Sequence, residues 1–414
     1  MAGIPIFFGY NFFFWLIMSI ARFITEKIPA FWMKKFSKAG LSQKSTHDIT
    51  PDQVAVIMAA HNEELNIRAT IRNLKKNVSA AQIYIGSDAS TDQTVAIARQ
   101  EGCHVLDLQP NRGKPRVLSH LLKNFKILER YKAVLIIDAE ILVTDTYLKK
   151  ALPYFDDPKV VVFVSHAISR WKQHWWPKWS MFFTAYRIRL WLTLYYGLRY
   201  GQTWKHFSVT PIVPGGSSIY RSSALSHIEI DTPGLVIEDF HMTFQVHHKK
   251  LGRIASHPAV SIIDQEPYTL RDYTRQVRRW FLGFWQTFFL HGYWPSFFWF
   301  ATFFFTLEMV LSSIFLLTLP FILPYLLLTG QAALPLGWSP VPITVNGIIL
   351  ALFIFDYAVT MAAAWIEGKP ALFLYGLGFI FLRYIDTIVF LWTMVEALMV
   401  TTATGQWKSP TRRA

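Results

Sequence analysis

Apolar positions along this chain follow three different patterns. Ile4 to Ile24 are nearly all apolar, with many Phe, over a length that suits one membrane-spanning helix. No basic stretch precedes them and no small-residue cleavage site follows, which argues against a removed signal peptide. Arg22, Lys27, Lys34, Lys35 and Lys38 come next, so by the positive-inside rule everything from about Arg22 onward is expected to be cytoplasmic. From Val54 short apolar runs alternate with helically spaced segments. Val54–Met58, Ile83–Ile85, Val105–Leu106, Ala133–Ile137 and Val160–Val164 read as strands, with helices over Glu64–Leu74, Thr91–Gln100 and Lys114–Leu128 between the first four. Strands alternating with helices at this spacing predict an α/β fold, a mostly parallel sheet covered by helices on both faces.

The third pattern fills the rest. Trp171 to Tyr200 is crowded with Trp and Tyr interleaved with Lys and Arg, as in segments that lie in a headgroup zone; the same rings would also suit a sugar-binding wall. A turn at Pro214–Ser218 and a helix over Phe240–Lys249 precede an amphipathic stretch, Tyr273–Phe289. Phe297–Leu328 and Val341–Ile366 are long enough to span, the first with a kink expected at Pro320 or Pro324. Ala371–Thr402 reads either as one tilted helix or as a hairpin bent near Arg383. Glu308, Asp356, Arg383, Asp386 and Glu396 fall inside these runs, where charge is costly and usually faces an interior path. The expected organisation is an N-terminal membrane helix over 1–28, a cytoplasmic domain over 50–270, interfacial helices over 271–296, a membrane region over 297–404 and a basic tail over 405–414.

Composition agrees with a chain partly in lipid: 52% of the 414 residues are hydrophobic and only 16% charged, against about a quarter charged in a soluble domain. The net charge of +14 sits beside apolar segments and is mixed with aromatic residues, which speaks for membrane flanks and an anionic substrate rather than nucleic acid. Cys103 is the sole cysteine, so no internal disulfide and no cysteine-based zinc site can form. His247 and His248 read as polar surface.

Polar residues gather where the strands end, the usual ligand edge of such sheets. Ala60-His61-Asn62-Glu63 follows the first strand and Ser87 to Asp92 the second. Asp88 suits helix capping or ligand binding equally, with Ser90 or Thr91 the expected cap. Asn111-Arg112-Gly113-Lys114 places backbone N–H groups and a Lys at a helix mouth, fit for a phosphate. Asp138 and Glu140, one residue apart at a strand exit, either share a hard cation such as Mg²⁺ or Mn²⁺ or are simply solvated acids. Gly215 and Gly216 let backbone approach closely. Asp239 opens a helix as a cap or as a general base. Gln276, Arg279 and Trp280 lie near one helix face, where Arg279 suits a diphosphate and Trp280 a sugar ring or a membrane anchor.

Taken together these motifs resemble the membrane-embedded family 2 glycosyltransferases, nearest to bacterial poly-β-1,6-N-acetylglucosamine synthases and more distantly to chitooligosaccharide, hyaluronan and cellulose synthases. The likeness runs from about Val54 to the end, including the tail Gln406–Pro410. It implies a GT-A-type fold and inverting, metal-dependent transfer from a UDP-sugar, foremost UDP-N-acetylglucosamine, to a growing polysaccharide exported across the plasma membrane. It implies nucleotide-sugar contacts from Ala60, His61, Glu63, Asp88, Lys114, Asp138, Gln276 and Arg279. Acceptor contacts fall to Gly216, Ser217 and Trp280, the metal to Asp138 and Glu140, and catalysis to Asp239 with Glu238. The metal pair ends in Glu140 where the family has Asp, and the triplet Ile237-Glu238-Asp239 begins with Ile where the family has Thr. A small membrane helper subunit fits the resemblance. Single addition to a lipid acceptor, and a non-catalytic export component, are the competing readings; the intact acids at 138, 140, 238 and 239 argue against the latter.

Overall fold

The computed structural model describes residues 9–36, 47–171, 177–331 and 344–399. Expectations for residues 172–176 of the aromatic segment, for Lys38, for the first residues of the Val341–Ile366 span and for the basic tail lie outside them. The chain opens with helix α1 (Tyr10–Phe36) and enters a sheet through β1 (Val54–Ala60), α2 (Ile67–Leu74), β2 (Ile83–Asp88), α3 (Thr94–Gln100), β3 (His104–Leu108), α4 (Lys114–Asn124), α5 (Ile127–Arg130) and β4 (Ala133–Ile137). Next come β5 (Leu142–Val143), α6 (Tyr147–Ala151) and β6 (Val160–Ser169). An excursion follows: α7 (Phe182–Leu194), a π-helical turn (Tyr195–Arg199) and α8 (Tyr200–Gln202). The sheet resumes with β7 (Ser217–Arg221), α9 (Ser222–Leu225), α10 (Glu238–His248) and β8 (Arg253–Asp264). Then come α11 (Leu270–His291), α12 (Phe297–Leu328), α13 (Val345–Glu367), α14 (Leu372–Gly376) and α15 (Phe379–Met399).

The eight strands form one sheet in the order β3-β2-β1-β4-β7-β6-β8-β5. β1 pairs in parallel with β2 and β4, β2 with β3, and β6 with β8, while β7 runs antiparallel between β4 and β6. All seven residues of β1 are buried because the sheet is covered twice. Val54, Val56 and Met58 face the helices α2, α3 and α6, and Ala55, Ile57 and Ala59 face α4, α9 and α10. That is why the parallel strands read as unbroken apolar runs. The reversal of β7 has a functional result: its first residues lie beside the last of β4, with Ile137 opposite Ser217 and the Asp138 N–H donating to the Gly216 carbonyl at 3.1 Å.

Gly86 on β2 is where α4 presses closest. A Cβ there would sit 2.2 Å from Val117 Cγ1, so Gly86→Ala should overpack this contact at a cost of about 1–3 kcal/mol. The expected result is a lower thermal unfolding midpoint in the detergent-purified protein; an unchanged midpoint would show that α4 yields freely.

Several elements differ from expectation. The helix predicted over Lys114–Leu128 breaks at Lys126, which has φ of 49°. Strands β5, β7 and β8 were not foreseen. The N-cap position of α3 is Gln93, and Asp92 before it accepts the Thr94 N–H at 3.0 Å, whereas Ser90 and Thr91 bond to Asn62. Most of α7 is buried within the protein, with Phe182, Phe183 and Tyr186 packed against α11, α14 and α15, and its Arg187 and Trp191 line the cavity. His248 is exposed, as expected, while His247 is partly covered; His247 stacks on Phe298 and His248 on Trp294, so the pair docks the end of α10 against α12 and the segment leading into it. Arg22 is buried: its guanidinium donates to the Tyr200 and Ser256 carbonyls and anchors α1 to the sheet domain. The third apolar stretch breaks at Leu377 and Gly378, leaving Arg383 inside α15.

Among the described residues, α12 and α13 are long and apolar enough to cross a membrane. Pro320 and Pro324 both lie inside α12. The charges in this region are partnered. Glu308 accepts the Gly9 and Asn11 N–H groups at the start of α1, Asp356 pairs with Arg189 and Arg383, and Arg278 pairs with Glu396. Tyr186 and Tyr273 both donate to Asp386, at 2.9 and 2.6 Å.

Candidate active site

The carboxyl edge of the sheet opens into a cavity of about 1720 Å³ that continues between α1, α7, α11, α12 and α13. Lys114, at the first turn of α4, stands at its centre. Its ammonium lies 2.7 Å from Asp138 Oδ1 and 3.2 Å from Glu238 Oε1, and donates to the Gly215 carbonyl at 3.2 Å. Burial disfavours the ammonium's charge, but Asp138, Glu238 and Asp239 outweigh that and raise its pKa above the usual lysine range.

Asp239 sits in the first turn of α10. Its Oδ2 accepts the Gly215 N–H at 3.1 Å and its Oδ1 the Phe240 N–H at 2.9 Å. Burial and the adjacent Glu238 charge push its carboxyl up to about 6, against the Gly215 N–H and Lys114, which favour the anion. A carboxylate with that affinity for a proton is ionised at neutral pH yet basic enough to accept one. Ile237, the departure from the family triplet, is buried with Phe240, Phe284 and Trp285. Its Cβ would lie 2.8 Å from a Cβ on Gly283, so the branched side chain sets α11 against the acids.

Gly215 and Gly216 have no room for a side chain without crowding Lys114, Glu238, Ile141 or Asp138. Ser217 is turned inward, its hydroxyl 2.8 Å from Tyr147 Oη, so only its backbone is placed to meet a ligand. On the far wall the Gln276 amide oxygen accepts from Arg187 at 2.9 Å. Arg187 is itself buried and lies 4.3 Å above the Trp280 ring and 4.8 Å above Tyr273. Arg279 is exposed on the cavity side of α11.

The residues expected to contact a nucleotide form a neighbouring group. Asp88 is fully buried and accepts the Arg112 and Gly113 N–H groups at 2.6 and 2.9 Å, which holds the Asn111–Lys114 turn. His61 Nδ1 is 2.6 Å from the Asp88 carbonyl oxygen. The Ala60 methyl is in the core and Glu63 is buried, its carboxylate accepting from Asn66, so neither presents its side chain to a ligand. Asp88→Asn replaces the charged acceptor of two N–H groups with one neutral amide oxygen, a loss of about 1.5–3 kcal/mol. Nucleotide binding measured by calorimetry should weaken about tenfold or more; equal affinity would separate Asp88 from the nucleotide site.

Asp138 and Glu140 both face the cavity and supply carboxylate oxygens, the donor type a hard divalent cation takes. Among the described residues no group of three or more His, Cys, Asp and Glu is arranged to hold a metal. The pair therefore suits a cation that draws its remaining ligands from substrate phosphates and water. The structure adds residues that the sequence reading missed. Asp264, the last residue of β8, is held well above the usual carboxylate range by burial and by Glu266, Glu140 and Asp138. Glu266 accepts from Trp191 Nε1 at 2.6 Å and Ser169 at 2.7 Å. The signal for Asp264 was present: Val260, Ile262 and Asp264 alternate and end in an acid, as β2 does at Asp88. Arg187 carries no such local mark.

A mixed sheet with acids, a half-buried lysine and a glycine turn along one carboxyl edge defines a GT-A-type glycosyltransferase. Residues 51–283 match the sequence model of the glycosyltransferase like family 2, and the chain belongs to that family. A mannosyltransferase from Pyrobaculum calidifontis, solved in complex with GDP-Man and Mn²⁺, shares the fold with a TM-score of 0.52 at 17% identity, over 89% of this chain and 99% of that one. An uncharacterized protein of Methanocaldococcus jannaschii is 34% identical over 94 residues, 23% of this chain and 38% of that protein. The protein RfbJ of Shigella flexneri is 32% identical over 71 residues, 17% of this chain and 54% of that protein. The chain thus spans well under two thirds of the curated relatives it matches.

Proposed function

We propose that the protein is a membrane-embedded inverting glycosyltransferase that adds sugar from a UDP-sugar, foremost UDP-N-acetylglucosamine, to a growing polysaccharide and passes it outward between its apolar helices. The observation that carries this reading is Asp239, with its pKa near 6, in a cavity shared with Lys114 and Asp138. Asp239 takes the proton of an acceptor hydroxyl. The freed oxygen forms a bond to the anomeric carbon from the face opposite the diphosphate, and the bond from that carbon to the diphosphate oxygen breaks with its electron pair. Lys114 and Arg279 draw the departing charge. A bound Mg²⁺ or Mn²⁺, held by Asp138 with Glu140, would supply further neutralisation of the diphosphate. Asp88 and His61 frame the nucleotide through the Asn111–Lys114 turn. Trp280 and the Gly216–Ser217 backbone hold the acceptor.

In this reading α12 and α13 lie in the plasma membrane, the sheet domain is cytoplasmic, and a small helper subunit is an expected partner. The Mn²⁺ in the fold neighbour supports the cation, and its GDP-Man makes the donor base an open variable. The test is nucleoside diphosphate release by the detergent-purified chain against UDP-sugars and GDP-mannose, with Mg²⁺ or Mn²⁺, followed by product sizing. Release with one donor and a long product supports the reading. A single added sugar would replace the polymer with a single-addition transferase acting on a lipid acceptor. No release from folded protein, even with membrane extract added, would sink both.

A further inference from the structure

Tyr273, Gln276 and Trp280 follow one another at helical spacing along one face of α11, and a single side chain from α7 meets all three. Arg187 lies 4.8 Å above the Tyr273 ring and 4.3 Å above that of Trp280, and it donates to the Gln276 amide oxygen at 2.9 Å. Arginine has only donors, so this bond fixes the amide with its oxygen towards α7. One turn further along α7, Trp191 tilts against Trp280, with ring centroids 5.7 Å apart and 55° between the planes. Arg187 is only 1% exposed, which leaves it no surface of its own for a ligand.

The charge of Arg187 is answered from the connection between β8 and α11. Glu266 Oε2 lies 3.7 Å from Arg187 Nε, and both side chains are almost fully buried. The other carboxylate oxygen of Glu266 accepts from Trp191 Nε1 at 2.6 Å and from the Ser169 hydroxyl at 2.7 Å. One carboxylate thus joins α7, the end of β6 and the entry to α11. Apolar side chains would hold α7 against α11 at less cost, because taking two charges out of water offsets much of what their attraction returns. What an arginine adds is direction: its planar guanidinium stacks on a ring and donates from its edge at the same time.

We propose that Arg187 is a positioning residue for the acceptor sugar, held by Glu266 and acting through Trp280. This deepens the function proposed above and rests on it for one point, that Trp280 meets the acceptor. Trp280 is half-buried and lines the cavity, so a sugar stacks only on the part of the ring that Arg187 and the core leave open. With the guanidinium against the indole and bonded to Gln276, the ring cannot turn without giving up its cation contact. The pair therefore sets the plane on which the sugar lies, and with it where the acceptor hydroxyl stands relative to Asp239.

The experiment is a double-mutant cycle read as binding, without turnover. An N-acetylglucosamine tetramer and, separately, UDP with Mn²⁺ are titrated into the full detergent-purified chain, into Arg187→Met with Glu266→Gln, into Trp280→Ala and into all three changes combined. Arg187 and Glu266 are changed together so that neither charge is left buried alone. The paired change should weaken tetramer binding about tenfold when Trp280 is present, and hardly at all once Trp280 is replaced. UDP binding retained in every variant shows that each is folded. Arg187→Lys keeps a charge facing Glu266 but loses the planar stack; it should give a smaller Trp280-dependent loss, about threefold, and it carries the test if the paired variant does not fold. An equal loss with and without Trp280 gives the pair a purely structural part and overturns the proposal, as does unchanged tetramer affinity. Loss of UDP affinity in place of tetramer affinity moves Arg187 to the donor and also overturns it. A tetramer that fails to bind the unaltered chain, or binds Trp280→Ala equally well, removes Trp280 from the acceptor, and the proposal falls with that part of the reading. A coupled loss in a chain that releases no nucleotide from any donor would uphold the role of Arg187 in sugar binding while removing the proposed transfer.

Discussion

Asp239→Asn should abolish sugar transfer, lowering kcat by on the order of 10²–10⁴, while nucleotide binding persists. The expectation rests on what the substitution keeps and removes. The amide oxygen can still accept from Gly215 or Phe240, so the first turn of α10 retains one of its two anchors. What disappears is the site that receives the acceptor's proton. Stability should change little near pH 7, because the lost hydrogen bond, about 1 kcal/mol, is offset by removal of a carboxylate that burial and Glu238 make costly to ionise. The sign of the pH effect follows. Asp239 has a folded pKa of about 6, above the ordinary 3.8, so its ionisation opposes folding increasingly as pH rises through that window. The variant should therefore gain on the unaltered chain between about pH 4 and pH 7. Unaltered transfer should show an acid limb near pH 6, steepest where Asp239 titrates. A variant with full kcat would remove Asp239 from the reaction; a limb far below pH 6 would mean that another group sets it.

Lys114→Met should be the most damaging single change to the site's electrostatics. It removes the cation that faces Asp138 and Glu238 at 2.7 and 3.2 Å while leaving their carboxylates in place. Breaking one partner out of a largely buried pair costs on the order of 3 kcal/mol, so the unfolding midpoint should fall clearly. Lys114 also favours the Asp239 anion. Its loss should move the acid limb of transfer to higher pH, whereas Glu238→Gln, which removes a neighbouring negative charge, should move it lower. Opposite displacements in the two variants are the signature of one coupled cluster. If both moved the limb the same way, or neither moved it, the three groups would be electrostatically separate and the cavity centre would need reassignment.

Much of this arrangement is legible in the sequence because the first half of the sheet is locally encoded. Val54–Met58, Ile83–Ile85 and Ala133–Ile137 are buried on both faces, so their apolar runs are unbroken, and the acids at Asp88 and Asp138 mark where the last two of these strands end. β7 escaped notice for a physical reason: Ser217-Ser218-Ile219-Tyr220 owes its extended form to pairing with β4 and β6, not to its own alternation. The interleaved Trp and Arg of α7 suit a headgroup zone or a sugar-binding wall, and they do not show that α11, α14 and α15 cover most of the helix. Arg187 shows the same limit. Nothing in its neighbours along the chain announces that it will lie over Trp280 and donate to Gln276, since both belong to a helix far downstream. Asp88 was open between cap and ligand, and the structure gives it a third task, holding the Asn111–Lys114 turn through two backbone N–H groups.

The antiparallel course of β7 bears on how the protein is made. Synthesis delivers β1 to β4 first, with Asp138 at an edge that has no neighbour on its β7 side. β6 follows, but β4 and β6 do not pair with each other; the strand between them arrives only after α7 and the π-helical turn have left the ribosome. Domains form as units as they emerge, and a pairing that must wait for a long detour closes late. Gly216 therefore meets Asp138, and Asp239 meets Gly215, only once the segment that packs against α1 and the later helices has been produced. A nascent chain stalled before β7 holds the Asn111–Lys114 turn and half a sheet, and lacks the Gly215, Gly216 and Asp239 side of the proposed site.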